Sequence, residues 1–146
     1  MGLSTFGAIM GFAAEWAGKT GETFQSLAQK AKEAALQETL LALAAEEIKN
    51  RSLMEKARRE NVTEMILEPI TGLQQEDYTV DLQGLDQMED TGLLKVALLL
   101  QEREKQFFRD ASLKVPLPEV ARIFKRIAQK KEENLTHLQS LGLNRA

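Results

Sequence analysis

The chain has 146 residues, of which 43% are hydrophobic and 28% charged, a balance typical of one folded globular domain and not of a disordered chain. Its formal net charge of −3 gives no electrostatic reason to expect nucleic acid as a partner. The sequence has no cysteine, which excludes disulfides, thiolate metal sites and a cysteine nucleophile, and its single histidine, His137, is accompanied by no nucleophile motif.

The first predicted helix begins near Ser4, a residue type that often caps helix N-termini. Apolar residues follow at a spacing of roughly 3.6 residues from Phe6 to Ala31. The apolar run of residues 6–17 contains Glu15 and is too short to cross a bilayer, and no basic segment precedes it as in a signal peptide. We therefore expect a cytoplasmic protein that does not enter the membrane.

The aromatic residues of this helix, Phe6, Phe12 and Trp16, allow two interpretations. They pack in the core, with Gly7 and Gly11 permitting close helix approach, or they form an apolar patch for a homodimer or another protein partner. Apolar residues occupy more than one face of the helix up to Trp16, which favours such an interface. The stretch lacks the basic face that would help it to bind an anionic membrane surface.

The second predicted helix covers residues 36–67 and is ended by Pro69. The segment of about residues 68–88 shows no helical period. A connection of this length inside a compact domain is usually a functional segment or a crossover. We expect it to lie across the helices as a crossover loop.

A third helix is predicted for residues 89–112. The fourth begins with Pro118 as a first-turn proline and ends before Gly142, a residue type common just past helix C-termini. The sequence thus predicts a single all-α domain, residues 1–146, in which two helical hairpins joined by a long crossover form a four-helix bundle.

The two predicted hairpins repeat each other at a constant offset of 84 residues. This offset relates Phe24 to Phe108 and Asn50 to Asn134. Three further pairs share it: Leu43 and Ile127, Ala44 and Ala128, Met54 and Leu138. Two amphipathic hairpins align in part through the helical period alone, but equal spacing without a gap supports an internal repeat.

Four segments carry a resemblance to a known family: FQSLAQKA and LLALAAEEIKNRSL in the first half, FFRDASLK and IFKRIAQKKEENLTHL in the second. They resemble the two halves of a rubrerythrin-like domain of the ferritin-like superfamily. In that family, each half has a helix with an inward glutamate seven residues before an aromatic residue, followed by a helix with the pattern LAxxExxHxxxL. The resemblance covers residues 8–141 and implies a ferritin-like fold with a di-iron centre.

At the positions of the family's iron ligands, the resemblance places Ala17, Glu47, Asn50, Gln101, Lys131 and Asn134. Only Glu47 keeps the family's residue type. Alanine offers no donor atom, an ammonium does not bind iron, and neutral amides are weak ligands. The resemblance therefore implies a degenerate di-iron site that holds no metal and no other cofactor.

Glu47 and Lys131 occupy equivalent positions of the repeat, on helices that face each other. Because a lone buried carboxylate is costly, we expect these two side chains to form a buried or half-buried ion pair in the vacated centre. Gln101, Asn50 and Asn134 would supply hydrogen bonds to the pair. In the alternative arrangement, one of the two charged side chains extends to solvent.

These observations favour a metal-free, non-catalytic ferritin-like protein that acts as a structural, adaptor or regulatory interaction module, with a homodimer or another protein as its partner. The alternative is a rubrerythrin-like oxidoreductase that binds iron through displaced ligands. The residues considered for it are Glu47, Glu102, Glu133 and His137. A third possibility is a carrier of a small apolar ligand in the bundle centre. His137 by itself is expected to be a surface histidine near a helix C-terminus.

Overall fold

A computed structural model describes residues 5–60, 73–80 and 88–141 of the chain. These residues form no β-strand and four α-helices, namely α1 (Phe6–Lys30), α2 (Ala34–Glu60), α3 (Asp90–Lys114) and α4 (Pro118–Ser140). α1 packs along α2 and α3 packs along α4, and contacts of α3 with α1 and α2, and of α4 with α2, join the two pairs. The predicted all-α class and four-helix bundle are therefore confirmed. None of these four helices is both long and apolar enough to cross a lipid bilayer.

The helix ends follow from local chemistry. Thr5 is the N-cap of α1, and its hydroxyl oxygen accepts a hydrogen bond from Ala8 N at 3.0 Å. The predicted cap, Ser4, lies outside the described residues, as do residues 61–67 of the predicted second helix. Pro118 is the first residue of α4, as predicted from the missing N–H of proline.

The connection between α2 and α3 is described for residues 73–80. The sequence shows no helical period here, yet Gln75–Asp77 form a 3-10 helix, which is too short to leave a period in the sequence. Tyr78 is buried, and its hydroxyl donates to Asp110 Oδ2 on α3 at 2.7 Å. This segment is therefore anchored to α3. The rest of the predicted crossover lies outside the described residues, and its course stays a prediction.

Asp90, at the start of α3, holds the turn between α1 and α2 in place. Its two carboxylate oxygens accept hydrogen bonds from Lys32 N at 2.9 and 3.2 Å, and one of them accepts from Glu33 N at 2.8 Å. Backbone N–H groups at the start of a helix have no partner within the helix. Asp90 thus satisfies amides at the entry to α2 from a different hairpin and ties the two hairpins together.

The core has two apolar halves. One half, here called the aromatic half, contains most of the buried aromatic side chains of the described residues: Phe6, Trp16, Tyr78, Phe107, Phe108 and Phe124. The other half is largely aliphatic and includes Phe24, Leu27, Leu36, Leu40, Leu93, Leu100 and Leu138. Each half contains residues from α1, α2, α3 and α4, so each half holds all four helices together.

The aromatic residues of α1 lie in this core. Phe6 and Trp16 are 1% and 8% exposed, and Phe12 is half-buried. The ring of Phe107 on α3 lies 5.1 Å from the ring of Phe12 and 5.8 Å from that of Trp16, between ring centroids. Because α3 packs against these side chains, they form part of the core. A partner surface that includes Phe12 stays a prediction.

Candidate functional site

A layer of polar side chains separates the two apolar halves of the core. On α2, Glu47 and Asn50 lie between Ala44 of the aliphatic half and Met54 of the aromatic half. The buried residues of this polar layer are Thr20, Glu47, Asn50, Gln101, Glu104 and Lys131. Charged groups inside a core destabilise the fold unless they are paired and hydrogen-bonded. The members of the layer must therefore satisfy one another.

The ammonium of Lys131 lies at the centre of the polar layer. Its Nζ is 2.6 Å from Glu47 Oε2, 3.3 Å from Glu104 Oε1 and 3.5 Å from Glu46 Oε1. The side chains of Lys131 and Glu47 are 0% and 1% exposed. The ion pair predicted between these equivalent positions of the repeat is therefore present and buried, and neither side chain extends to solvent.

Two amide side chains donate hydrogen bonds within the cluster around the ammonium. Gln101 Nε2 donates to Glu104 Oε1 at 2.9 Å and, at 3.4 Å, to Glu47 Oε2. Asn134 Nδ2 lies 2.9 Å from both Gln101 Oε1 and Glu46 Oε1 and donates to them. The hydrogen bond predicted from Gln101 to the ion pair is therefore present, whereas Asn134 bonds to Gln101 and Glu46 and not to the pair itself.

Two other positions singled out by the resemblance add no polar contact. Ala17 is buried, and its methyl group carries no donor or acceptor. Asn50 is buried on α2, but within the described part of the chain no hydrogen bond joins it to the cluster around Lys131. The contribution predicted for Asn50 is therefore wrong, since Gln101 and Asn134 already occupy the positions next to the carboxylates.

Burial and the charges of the polar layer shift the pKa values of Glu104 and Lys131. Burial and the charge of Glu47 raise the pKa of Glu104 well above its usual range, although the charge of Lys131 opposes them. Burial alone would lower the pKa of Lys131, but the charges of Glu104, Glu47 and Glu46 outweigh burial and raise that pKa. We therefore expect a charged ammonium at neutral pH and a Glu104 carboxyl that holds its proton more tightly than an exposed glutamate does.

One buried acceptor in the layer is left without a partner. Glu47 Oε2 takes the contacts with both Lys131 and Gln101, whereas Glu47 Oε1 has no hydrogen-bond partner among the described residues. A buried acceptor in this state costs free energy. The carboxylates around the ammonium thus have more acceptor capacity than one lysine and two amides satisfy.

A glycine brings α1 close to the layer. A Cβ placed on Gly21 would lie 3.3 Å from Glu47 Cβ and 3.5 Å from Ala44 O. The first distance is shorter than an ordinary van der Waals contact, so a larger residue would push the two helices apart. Gly21 therefore allows α1 to cover Glu47.

Glu104 is the residue of the site that the sequence analysis missed. It lies three residues after Gln101, on the same face of α3. The offset of 84 residues that relates Glu47 to Lys131 also relates Thr20 to Glu104, and both of these are buried. The sequence carried one signal for Glu104, namely a polar residue within the apolar stripe at both equivalent positions of the repeat, Thr20 and Glu104.

The residues at the family's ligand positions do not fit a metal ion. The point where three carboxylates converge is filled by the ammonium of Lys131, and a second cation there would be repelled by it. Among the described residues, no three His, Asp or Glu side chains form a group that could hold a metal ion. An iron centre of the family type would need a different residue at position 131.

The displaced ligands considered for an oxidoreductase do not converge either. Glu102 on α3 pairs with a lysine of its own helix at 3.2 Å. Glu133 and His137 line a groove between α2 and α4, away from Glu102. His137 is exposed in the last turn of α4, as predicted, and its Nε2 lies 3.2 Å from Thr39 Oγ1.

The polar layer thus consists of carboxylates with the ammonium of Lys131 held between them. Comparisons with family models, with curated proteins and with solved structures each found no match for the chain.

Proposed function

We propose that this protein is a ferritin-like bundle of the rubrerythrin type that holds no metal and catalyses no reaction, and that it acts as a structural, adaptor or regulatory interaction module. The observation that carries the proposal is the position of Lys131 Nζ, within 3.5 Å of three carboxylates. The ammonium supplies the positive charge that these carboxylates need. A redox-active metal would have to displace it.

The cluster gives such a module a defined shape. Lys131 belongs to α4, Glu47 to α2 and Glu104 to α3, so the ion pairs join three helices and both hairpins. A buried polar cluster excludes packing arrangements that would leave a charge unpaired. In this proposal, the cluster fixes how the hairpins pack, and the outer surface makes the functional contacts.

Exposed apolar side chains on α2 are the proposed contact surface. Leu41 and Ile48 are each 51% exposed and lie seven residues apart, which places them on one face about two turns from each other. Its spacing from neighbouring apolar residues would assign Ile48 to the apolar stripe of α2, but the structure exposes its side chain. We name the pair Leu41 and Ile48 the α2 patch, and we propose that a second copy or another protein binds there.

Elemental analysis tests the absence of metal. The protein is produced in cells supplemented with iron and manganese and is purified without a chelator. We expect far less than one metal ion per chain, because Lys131 occupies the only point where the three carboxylates meet. One or two tightly bound ions per chain would contradict the proposal.

The oxidoreductase alternative keeps one observation in its favour. Glu46, Glu133 and His137 all line the same groove between α2 and α4. If this groove bound iron for catalysis, purified protein would contain iron, and the His137→Ala variant would lose it. A visible absorption band from an oxo-bridged or peroxo species in the wild-type protein would also support that alternative.

A further inference from the structure

The α2 patch is part of a narrow apolar stripe on the outer side of α2. Ala45 is exposed and lies four residues after Leu41 and three residues before Ile48. Steps of three and four residues keep side chains on one side of a helix. Residues 73–80 of the connection pack on α1 and α3 through Tyr78. Within the described part of the chain, this stripe is therefore left uncovered.

Opposite charges lie at the two ends of the stripe. Glu38 lies three residues before Leu41, and Lys49 directly follows Ile48; both charged side chains are exposed. Glu38 and Lys49 are eleven residues apart, which is about three helical turns, so they lie on the same side of the stripe. Among the described residues, neither side chain forms an ion pair. Each charge is therefore available to pair with a charge on another molecule.

These charges decide how two copies of the chain would meet. Self-association brings two identical surfaces together around a two-fold axis. If the two α2 helices ran parallel, Glu38 would lie beside the partner's Glu38, and Lys49 beside the partner's Lys49. In an antiparallel pair, the axis passes between Leu41 and Ile48, near Ala45, and Glu38 lies beside the partner's Lys49. Because like charges repel and opposite charges attract, the antiparallel arrangement is favoured.

We infer that a second copy of this chain binds the α2 patch through its own α2 patch, with the two helices antiparallel and with two equivalent ion pairs between Glu38 and Lys49. The inference rests on the proposed function, because it names the partner of the patch. Leu41 and Ile48 supply the apolar contact, and the small side chain of Ala45 lets the helices approach closely. With 27 residues, α2 is roughly 40 Å long, which is ample for a helix–helix interface.

Reversal of the two charges tests this orientation. The variants are Glu38→Lys, Lys49→Glu and the double variant that combines both changes. Lys95→Glu is the matched control, because it makes the same change of charge at an exposed position of α3. Analytical ultracentrifugation at low salt measures the dissociation constant of the dimer for each variant and for the wild-type protein.

We expect each single reversal to raise the dissociation constant about tenfold, because two attractive pairs per dimer become repulsive. The double variant should return to near the wild-type value, since its exchanged charges attract again. Lys95→Glu should leave the constant unchanged. In a parallel dimer, the single reversals would have no such effect, because like charges would face each other before and after the change.

Disulfide formation gives a second measurement, because the chain contains no cysteine. In the antiparallel pair, the two copies of residue 45 lie beside the two-fold axis, so Ala45→Cys should form a linked dimer under mild oxidation. Ala34→Cys lies three turns earlier on the same side of α2. It should stay unlinked, since the two copies of residue 34 would be about 30 Å apart.

Several results would overturn the inference. A wild-type protein that stays monomeric up to about 1 mM would do so, and the α2 patch would then bind a different protein. Single reversals without effect, a double variant that does not recover, or an equal change in Lys95→Glu would exclude the proposed ion pairs. Linkage of Ala34→Cys, or no linkage of Ala45→Cys, would exclude the antiparallel arrangement. None of these failures changes the metal content of the wild-type protein, which elemental analysis tests separately.

Discussion

Lys131 and Glu47 carry opposite charges that the core could not hold separately. Their charged atoms lie 2.6 Å apart, and both side chains are buried. Such a pair need not stabilise a fold more than apolar packing would, but removing one partner leaves the other uncompensated. The two glutamates closest to the ammonium, Glu47 and Glu104, should differ in how much stability is lost when their charge is removed. Glu47 makes the shorter contact with Lys131, and the pKa of Glu104 is raised.

This difference gives a paired prediction at the residue scale. Glu47→Gln should lower the free energy of unfolding at pH 7 by about 3–5 kcal/mol, because it leaves the buried ammonium without its main partner. Glu104→Gln should lower it by less, because glutamine removes a buried carboxyl whose raised pKa already disfavours its ionised form. Urea unfolding of both variants checks the prediction. Equal losses in the two variants would contradict this difference between the two glutamates.

The raised pKa of Glu104 also predicts how stability depends on pH. A carboxyl group that holds its proton more tightly in the folded state contributes stability that is full below its usual pKa of 4.5 and is lost as the pH rises through the raised value. Relative to wild type, Glu104→Gln should therefore gain stability as the pH rises from about 4 to about 8, and this gain should be absent below about pH 4. Urea unfolding at a series of pH values measures the difference. A constant difference across this range would contradict the assignment.

At the scale of the helices, the close approach of α1 to α2 depends on individual glycines. A Cβ on Gly21 would lie 3.3 Å from Glu47 Cβ, whose backbone position is fixed by α2. A Cβ on Gly11 would lie 3.4 Å from Arg58 Nη1, the end of a flexible side chain that can move. The same substitution should therefore have opposite effects at these two positions of one helix.

Gly11→Ala should raise the free energy of unfolding by up to about 1 kcal/mol, because alanine favours the helix over glycine. Gly21→Ala should lower it by about 1–2 kcal/mol, because crowding against Glu47 outweighs the same gain in helix propensity. Urea unfolding of the two single variants provides the comparison. Stabilisation by Gly21→Ala would show that the helices at the polar layer have room to separate.

On the scale of the whole molecule, the helical period predicts four helices and a bundle, because each helix buries one continuous apolar stripe. The buried Glu47–Lys131 pair was predictable for the same reason, since both residues interrupt such a stripe at equivalent positions. Glu104 was missed because one polar residue in an apolar stripe also occurs on ordinary amphipathic helices. The burial of Phe12 and Trp16 was left open, because the residues that cover them, Phe107 and Tyr78, are distant in sequence.

The proposed interaction through the α2 patch is a prediction about the whole molecule. The double variant Leu41→Glu and Ile48→Glu should convert a homodimer into a monomer, because charged groups cannot be buried at an apolar contact. Leu113→Glu is the control, since Leu113 is 75% exposed on α3 and lies outside the patch. Light scattering after size-exclusion chromatography gives the mass. A dimer that survives the double variant would place the contact on another surface.

The central claim is that a charged ammonium fills the middle of the bundle, and NMR of the lysine side chains tests it most directly. In ¹⁵N-lysine-labelled protein grown with iron and manganese, we predict one ammonium signal with slow hydrogen exchange at neutral pH. This signal should vanish in Lys131→Met, persist in Lys130→Ala and stay unchanged when Fe²⁺ or Mn²⁺ is added. If no lysine ammonium is protected from exchange, or if added metal displaces the signal, Lys131 does not hold the place of a metal and the account is wrong.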